Sequence, residues 1–184
     1  MAHVCPWWLT YLFDNPLRVL FHRPEQVLGP YVGPGQTAVD VGCGRGWFSL
    51  GLARLVGPRG RVWAVDRQKR LLEALVRRAQ ARGLAGPLCI RQARAPGLGL
   101  EELAGRADFV LVFWMLHEVE RPGRLLAELA GLLASDARLL LAEPKGHVDP
   151  AGFERLLEAA TRSGLAVAAR PPVRLSRAAL LKHA

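Results

Sequence analysis

Asp40, Gly42, Gly44 and Gly46 occupy every second position in VDVGCGRGWFSL (39–50), and Asp66 stands twenty residues beyond the last of them. Glycines this close together, between an apolar run and a helical pattern, let the backbone approach a ligand that a Cβ would hold off. A triphosphate cradle needs G-x-x-x-x-G-K-[ST], and no lysine follows here. A dinucleotide fingerprint needs G-x-G-x-x-G, and Trp47 stands where the third glycine would be. An acid just before the first glycine would repel a pyrophosphate but suits an ammonium group. A carboxylate at the end of the following strand can accept hydrogen bonds from ribose hydroxyls. Asp40 and Asp66 together ask for a nucleoside with a cationic tail.

The elements that must hold these residues alternate. TAVDV (37–41), RVWAV (61–65), LCI (88–90), DFVLVFW (108–114) and RLLLAE (138–143) are short apolar runs suited to strands buried on both faces. Helical patterns fill 47–56, 67–83, 121–134 and 151–164, with Gly164 as a C-terminal cap. This predicts right-handed βαβ units in a mostly parallel sheet. LAVAAR (165–170) and RAALLKH (177–183) follow with no helix between them, so they are antiparallel to each other. The first 35 residues differ, with CPWWLTYLF followed by helix starts at Asn15-Pro16 and Arg23-Pro24. They read as short helices packed on the sheet, residues 1–30 being an N-terminal segment and 31–184 the main domain.

Composition narrows the classes. At 184 residues with 51% apolar content, one folded domain is expected rather than disorder. No run of about 18 apolar residues is free of charge or proline, so no membrane span is expected, and without a signal-peptide pattern the expected location is cytoplasmic. Three cysteines without C-x-x-C spacing suggest reduced thiols rather than a disulfide framework or zinc ribbon. The charge of +9 comes from 22 scattered arginines and 3 lysines, which reads as a basic solvated surface before it reads as a nucleic-acid patch. His3, Cys5 and His22 lack a fourth ligand at recognisable spacing, so no metal is expected. They suit a roof of helices lending polar groups to a pocket.

DVGCGRG, the AVD ending at Asp66, ADFVLVFWMLHEV and LLLAEPKGHV, in that order, resemble class I S-adenosylmethionine-dependent methyltransferases over roughly residues 30 to 184. HVCPWW, DNPLR, GPYV and EPKGHV look like a small prokaryotic group related to the ubiquinone/menaquinone-type enzymes. The resemblance implies an α/β, Rossmann-like, doubly wound fold: a mostly parallel seven-stranded sheet with an antiparallel last strand. It also implies S-adenosylmethionine as methyl donor, S-adenosylhomocysteine as product, and a small-molecule acceptor that it does not identify.

By the same resemblance Gly42, Cys43, Gly44 and Gly46 face the methionine moiety, Asp40 reaches its ammonium directly or through water, and Asp66 holds the ribose. Arg67 flanks the adenine or is merely solvated. The family's acid after the third strand is absent from RQARAPG (91–97), so adenine recognition falls to Gln92 or backbone near Ala93. The end of the fourth strand brings Phe113, Trp114 and Met115 near the sulfonium, which suits aromatic faces; Trp114 and Met115 also read as core. His117 and Glu118 are candidates to orient the acceptor or take its proton, both being readable instead as a polar helix start, a reading that comes first for Glu118. Glu143 and His147, beyond the fifth strand, could line the same pocket.

Two rivals follow from the same residues. FWMLHE carries neither an N/D-P-P-Y-like motif nor a Pro-Cys nucleophile, which disfavours nucleic-acid bases as acceptors, although RNA or protein acceptors stay open. A non-catalytic protein binding S-adenosylmethionine or S-adenosylhomocysteine is the other class. The oligomeric state is not legible in the sequence.

Overall fold

The computed structural model describes residues 20–94 and 96–184. Its strands form one seven-stranded sheet in the order β3-β2-β1-β4-β5-β7-β6. The chain divides into two compact units at Gly99/Leu100.

In the first unit, α1 (Pro24–Leu28) starts on a proline at its first turn, where a missing N–H costs nothing. It is followed by β1 (Thr37–Val41), α2 (Trp47–Val56), β2 (Arg61–Asp66), α3 (Lys69–Gln80) and β3 (Leu88–Gln92). β1 pairs parallel with β2, Asp40 opposite Ala64, and β2 with β3, Asp66 opposite Gln92. The amphipathic α3 buries Leu71, Leu72, Leu75 and Ala79, one stripe at helical spacing. Leu75 is wholly buried, so truncating it to alanine would cost about 2–5 kcal/mol. α1 lies close on α2, since a Cβ built at Gly51 would stand 2.1 Å from Cβ of Pro24.

The second unit contains β4 (Ala107–Phe113), α4 (Pro122–Leu132), β5 (Leu133–Pro144), α5 (Pro150–Arg162), β6 (Leu165–Ala169) and β7 (Ser176–His183). Leu116–Glu118 forms a single 3-10 turn between β4 and α4. α5 is capped at its start by Asp149, whose Oδ1 accepts the Gly152 N–H at 2.6 Å, and Gly164 follows its end at φ 84°. β5 runs parallel to β4, while β7 is antiparallel to both β5 and β6. The expected seven-stranded, mostly parallel sheet with an antiparallel last strand is therefore the fold.

Several boundaries differ from expectation. β4 ends at Phe113, because Trp114 takes a left-handed backbone at φ 59° and leaves the strand. β5 starts at Leu133, which pairs with Ala107, rather than at 138; the register then shifts, and regular pairing with β4 resumes at Arg138 opposite Phe109. Correspondingly α4 stops at Leu132. The helix start at Asn15-Pro16 lies outside the described residues, whereas that at Arg23-Pro24 is α1. No described helix is long and apolar enough to cross a membrane.

Candidate active site

The glycine loop follows β1, and Gly42, Gly44 and Gly46 all take left-handed φ values, 71°, 55° and 79°. Two of these glycines do different work. A Cβ at Gly46 would stand 2.1 Å from Cδ1 of Leu75, so this glycine lets α3 close on the loop, whereas nothing lies within 4 Å of a Cβ at Gly44. The loop is therefore approachable at Gly44 and packed shut at Gly46. Arg78 of α3 buttresses it, donating to the Arg45 carbonyl at 2.7 Å.

Asp66 ties this loop to the turn after β2. Its Oδ2 accepts the Gly44 N–H at 2.9 Å and its Oδ1 the Gln68 N–H at 2.8 Å. A carboxylate offers about four lone-pair sites, so these bonds leave acceptor capacity for a ligand hydroxyl. Burial pushes its pKa up, and the backbone N–H groups of Gln68, Gly44 and Arg67 pull the other way.

Asp40 differs: it is 2% exposed, and its Oδ2 accepts the Ser49 hydroxyl at 2.5 Å. This carboxylate braces the start of α2. Direct contact with a ligand's ammonium, one of the two routes expected for it, is not prepared here. Cys43 also faces inward, among Leu50, Ala64, Leu72 and Leu75. Burial first, then the negative charges of Asp40 and Asp66, hold its thiol well above its ordinary value. Its N–H donates to the Val65 carbonyl at 3.0 Å, so its part is to support the loop rather than to touch a ligand.

The adenine-side candidates converge at the ends of β2 and β3. Ala93 N–H donates to the Asp66 carbonyl at 3.0 Å, and Gln92 Nε2 donates to the carbonyl of the exposed Arg67 at 3.1 Å. The Ala93 N–H and one N–H of Gln92 are thus engaged within the protein, while the Gln92 amide keeps a second N–H and its oxygen. His22 is corrected too, because its side chain is 1% exposed and its carbonyl accepts the Trp47 indole N–H at 2.8 Å. It packs in the core instead of lining a pocket. His3 and Cys5 lie outside the described residues. Among the described residues no group of three or more His, Cys, Asp or Glu is arranged to hold a metal ion.

The second unit carries the titratable cluster. Glu143, near the end of β5, is wholly buried; its Oε1 accepts the Leu116 N–H at 2.8 Å and its Oε2 bonds Nδ1 of His117. The His117 side chain is only 20% exposed. The hydrogen bond with Glu143 raises its pKa, burial opposes this, and the charges of Glu143 and Glu118 add to the rise. With Nδ1 held by the carboxylate, Nε2 is the outward nitrogen, 3.4 Å from Nδ1 of the exposed His147. The two rings meet edge to face at 5.4 Å. Glu118 is half-buried and reaches His117 by charge alone, so Glu143 is the carboxylate partner the sequence placed only in the pocket wall.

Phe113 is 7% exposed and stacks on Trp114 with ring centres 5.5 Å apart. Trp114 is half-buried; its N–H donates to the Ala142 carbonyl and its indole N–H to Ser176 Oγ, both at 2.8 Å. Sequence reasoning missed Ser176, Ser49 and Arg78. Their only signal was a polar residue inside an apolar element at Ser49; the other two partnerships span 62 and 33 residues.

The family described as "Methyltransferase domain" matches residues 39–141. The 2-phytyl-1,4-naphtoquinone methyltransferase of Trichormus variabilis is 33% identical over 110 residues, 60% of this chain and 47% of that protein. The demethylmenaquinone methyltransferase of Geobacillus stearothermophilus is 30% identical over 105 residues, 50% of this chain and 44% of that protein. The chain thus spans less than half the length of these curated relatives. A solved SAM dependent methyltransferase from Aquifex aeolicus superposes with a TM-score of 0.83 at 22% identity, covering 97% of this chain and 98% of that one, and shares the fold.

Proposed function

As the chain belongs to the methyltransferase-domain family, we propose that it transfers the methyl group of S-adenosylmethionine to a small-molecule hydroxyl acceptor, releasing S-adenosylhomocysteine. The observation that carries this reading is the glycine loop left open at Gly44 and bonded to Asp66, whose carboxylate retains acceptor capacity for ribose hydroxyls. Gly42 and Gly44 take the methionine moiety, Gly46 lets α3 close on the loop, and Asp40 stabilises the loop from behind through Ser49. The names of the naphthoquinone and menaquinone relatives support a small acceptor.

Methyl transfer is an in-line displacement at an activated carbon, so positioning and exclusion of water supply most of the catalysis. A C–O bond to the acceptor forms as the S–C bond breaks, its electron pair going to sulfur. The acceptor's hydroxyl proton passes to Nε2 of His117, which Glu143 holds in the required tautomer through Nδ1. His147, beside Nε2, gives the proton a route to solvent.

Calorimetric titration tests the donor assignment. The wild type is expected to bind both S-adenosylmethionine and S-adenosylhomocysteine, and Asp66→Ala to weaken them by about 1–3 kcal/mol, roughly 5- to 150-fold. Equal affinity in the variant would remove Asp66 from the site. The absence of an acid after the third strand, in RQARAPG (91–97), supports as a second reading a protein that binds the cofactor without turnover. A labelled-methyl screen over phenolic and quinol acceptors separates the two.

A further inference from the structure

Among the described residues only Trp114 and Leu175 have non-glycine backbones at positive φ, 59° and 58°. They lie at one edge of the sheet: Trp114 directly follows Phe113, the last residue of β4, and Leu175 directly precedes Ser176, which pairs with Pro144 at the end of β5. Ser176 joins them, accepting the Trp114 indole N–H and donating to the Arg174 carbonyl at 3.2 Å. The Leu175 carbonyl accepts the Lys145 N–H at 3.0 Å, which fastens the loop before β7 to the segment carrying His147.

The left-handed conformation is unfavourable for a tryptophan or a leucine, and its persistence at two residues linked through Ser176 calls for a reason. Packing does not provide one for Leu175, whose residue is 49% exposed although nothing polar recommends leucine there. Strain that the surrounding bonds hold in place is a mark of ligand clamps. Here it turns an indole and an exposed aliphatic side chain out of regular strands, next to segments that carry the His117–Glu143 pair.

The geometry points to a specificity clamp in which the Trp114 indole stacks on a planar aromatic acceptor and Leu175 covers its far edge, with the acceptor's hydroxyl directed to His117. Ser176 is the positioning residue, because its hydroxyl fixes the rotation of the indole. The acceptor class is therefore an aromatic alcohol, a naphthol or hydroquinone, rather than an aliphatic alcohol. This inference rests on the functional reading above.

The test uses the full chain loaded with S-adenosylhomocysteine and titrated calorimetrically with 2-naphthol and with cyclohexanol, which share a hydroxyl but differ in planarity. Wild type is expected to bind 2-naphthol at least tenfold more tightly. Leu175→Gly keeps the backbone conformation without strain, so its melting temperature should not fall, yet its 2-naphthol affinity should drop three- to tenfold. Ser176→Ala should lower 2-naphthol affinity similarly, with S-adenosylhomocysteine affinity unchanged in both variants. Failure of the wild type to bind S-adenosylhomocysteine would sink the functional reading and this inference with it. Normal cofactor binding with no preference for 2-naphthol, or an unaltered 2-naphthol affinity in Leu175→Gly, would overturn the clamp alone.

Discussion

Replacing Glu143 by glutamine changes almost nothing in shape and one thing in chemistry. The carboxylate accepts two donors, the Leu116 main-chain N–H and Nδ1–H of His117, in a wholly buried position. An amide has one oxygen and one NH2 group. The main-chain N–H of the fixed 3-10 turn cannot rotate, so the amide oxygen stays on Leu116 and the NH2 group meets Nδ1. Nδ1 must then accept, which moves the ring proton to Nε2 and removes the lone pair assigned as base. In stability this exchanges a charge-assisted hydrogen bond, worth about 1.5–3 kcal/mol, for a neutral one of about 0.5–1.5, a net loss of about 1 kcal/mol. In rate it removes general-base catalysis, about 10²- to 10⁴-fold. Glu143→Ala would add the roughly 1–3 kcal/mol of a buried amide left without an acceptor. The sign with pH follows from the raised pKa of His117. The stability due to the charged pair is complete below the ordinary histidine value of about 6.5 and is lost as pH rises through the higher folded value. The wild-type advantage over Glu143→Gln should therefore narrow in alkaline buffer. Ring nitrogen shifts of His117 report the tautomer without needing an acceptor, and urea unfolding at acid and alkaline pH reports stability. A glutamine variant that keeps Nδ1–H and turns over normally would refute this assignment of the base.

Other expectations follow from the same geometry. Gly46→Ala combines left-handed strain, about 1–2 kcal/mol, with overpacking against Leu75, about 1–3 kcal/mol, so unfolding should show a loss of about 2–5 kcal/mol. Adding Leu75→Ala should show positive coupling in a double-mutant cycle; strictly additive losses would mean the contact is not made. Ser49→Ala takes a donor from the buried Asp40 and should cost about 1–3 kcal/mol in thermal unfolding, and an unshifted transition would count against the bracing role. Cys43, buried and with its thiol pKa pushed up, should resist iodoacetamide in the native protein while the half-buried Cys89 reacts first; mass spectrometry of timed samples distinguishes them.

Much of the fold is legible in the chain because burial on both faces leaves an uninterrupted apolar run. TAVDV and WFSLGLARLV coincide with β1 and α2, and the absence of a helix between the last two runs gives their antiparallel pairing. The start of β5 is hidden because ASDAR is polar and because only the non-local pairing of Leu133 with Ala107 marks it. Trp114 reads as strand because aromatic residues favour strands, and nothing local announces a left-handed turn at a tryptophan.

The sequence by itself determined the glycine loop, the acids flanking it and the family that goes with them, because a tight left-handed turn beside a buried strand is a local property that spacing records. The tertiary structure decided what each carboxylate serves. Asp40 turns to Ser49, Asp66 to the backbone of Gly44 and Gln68, and Glu143 across 26 residues to His117 rather than leaving that place to the neighbouring Glu118. Partners of this kind depend on strand register and on which buried group faces which. Spacing along the chain does not encode that, and only packing the elements together sets it.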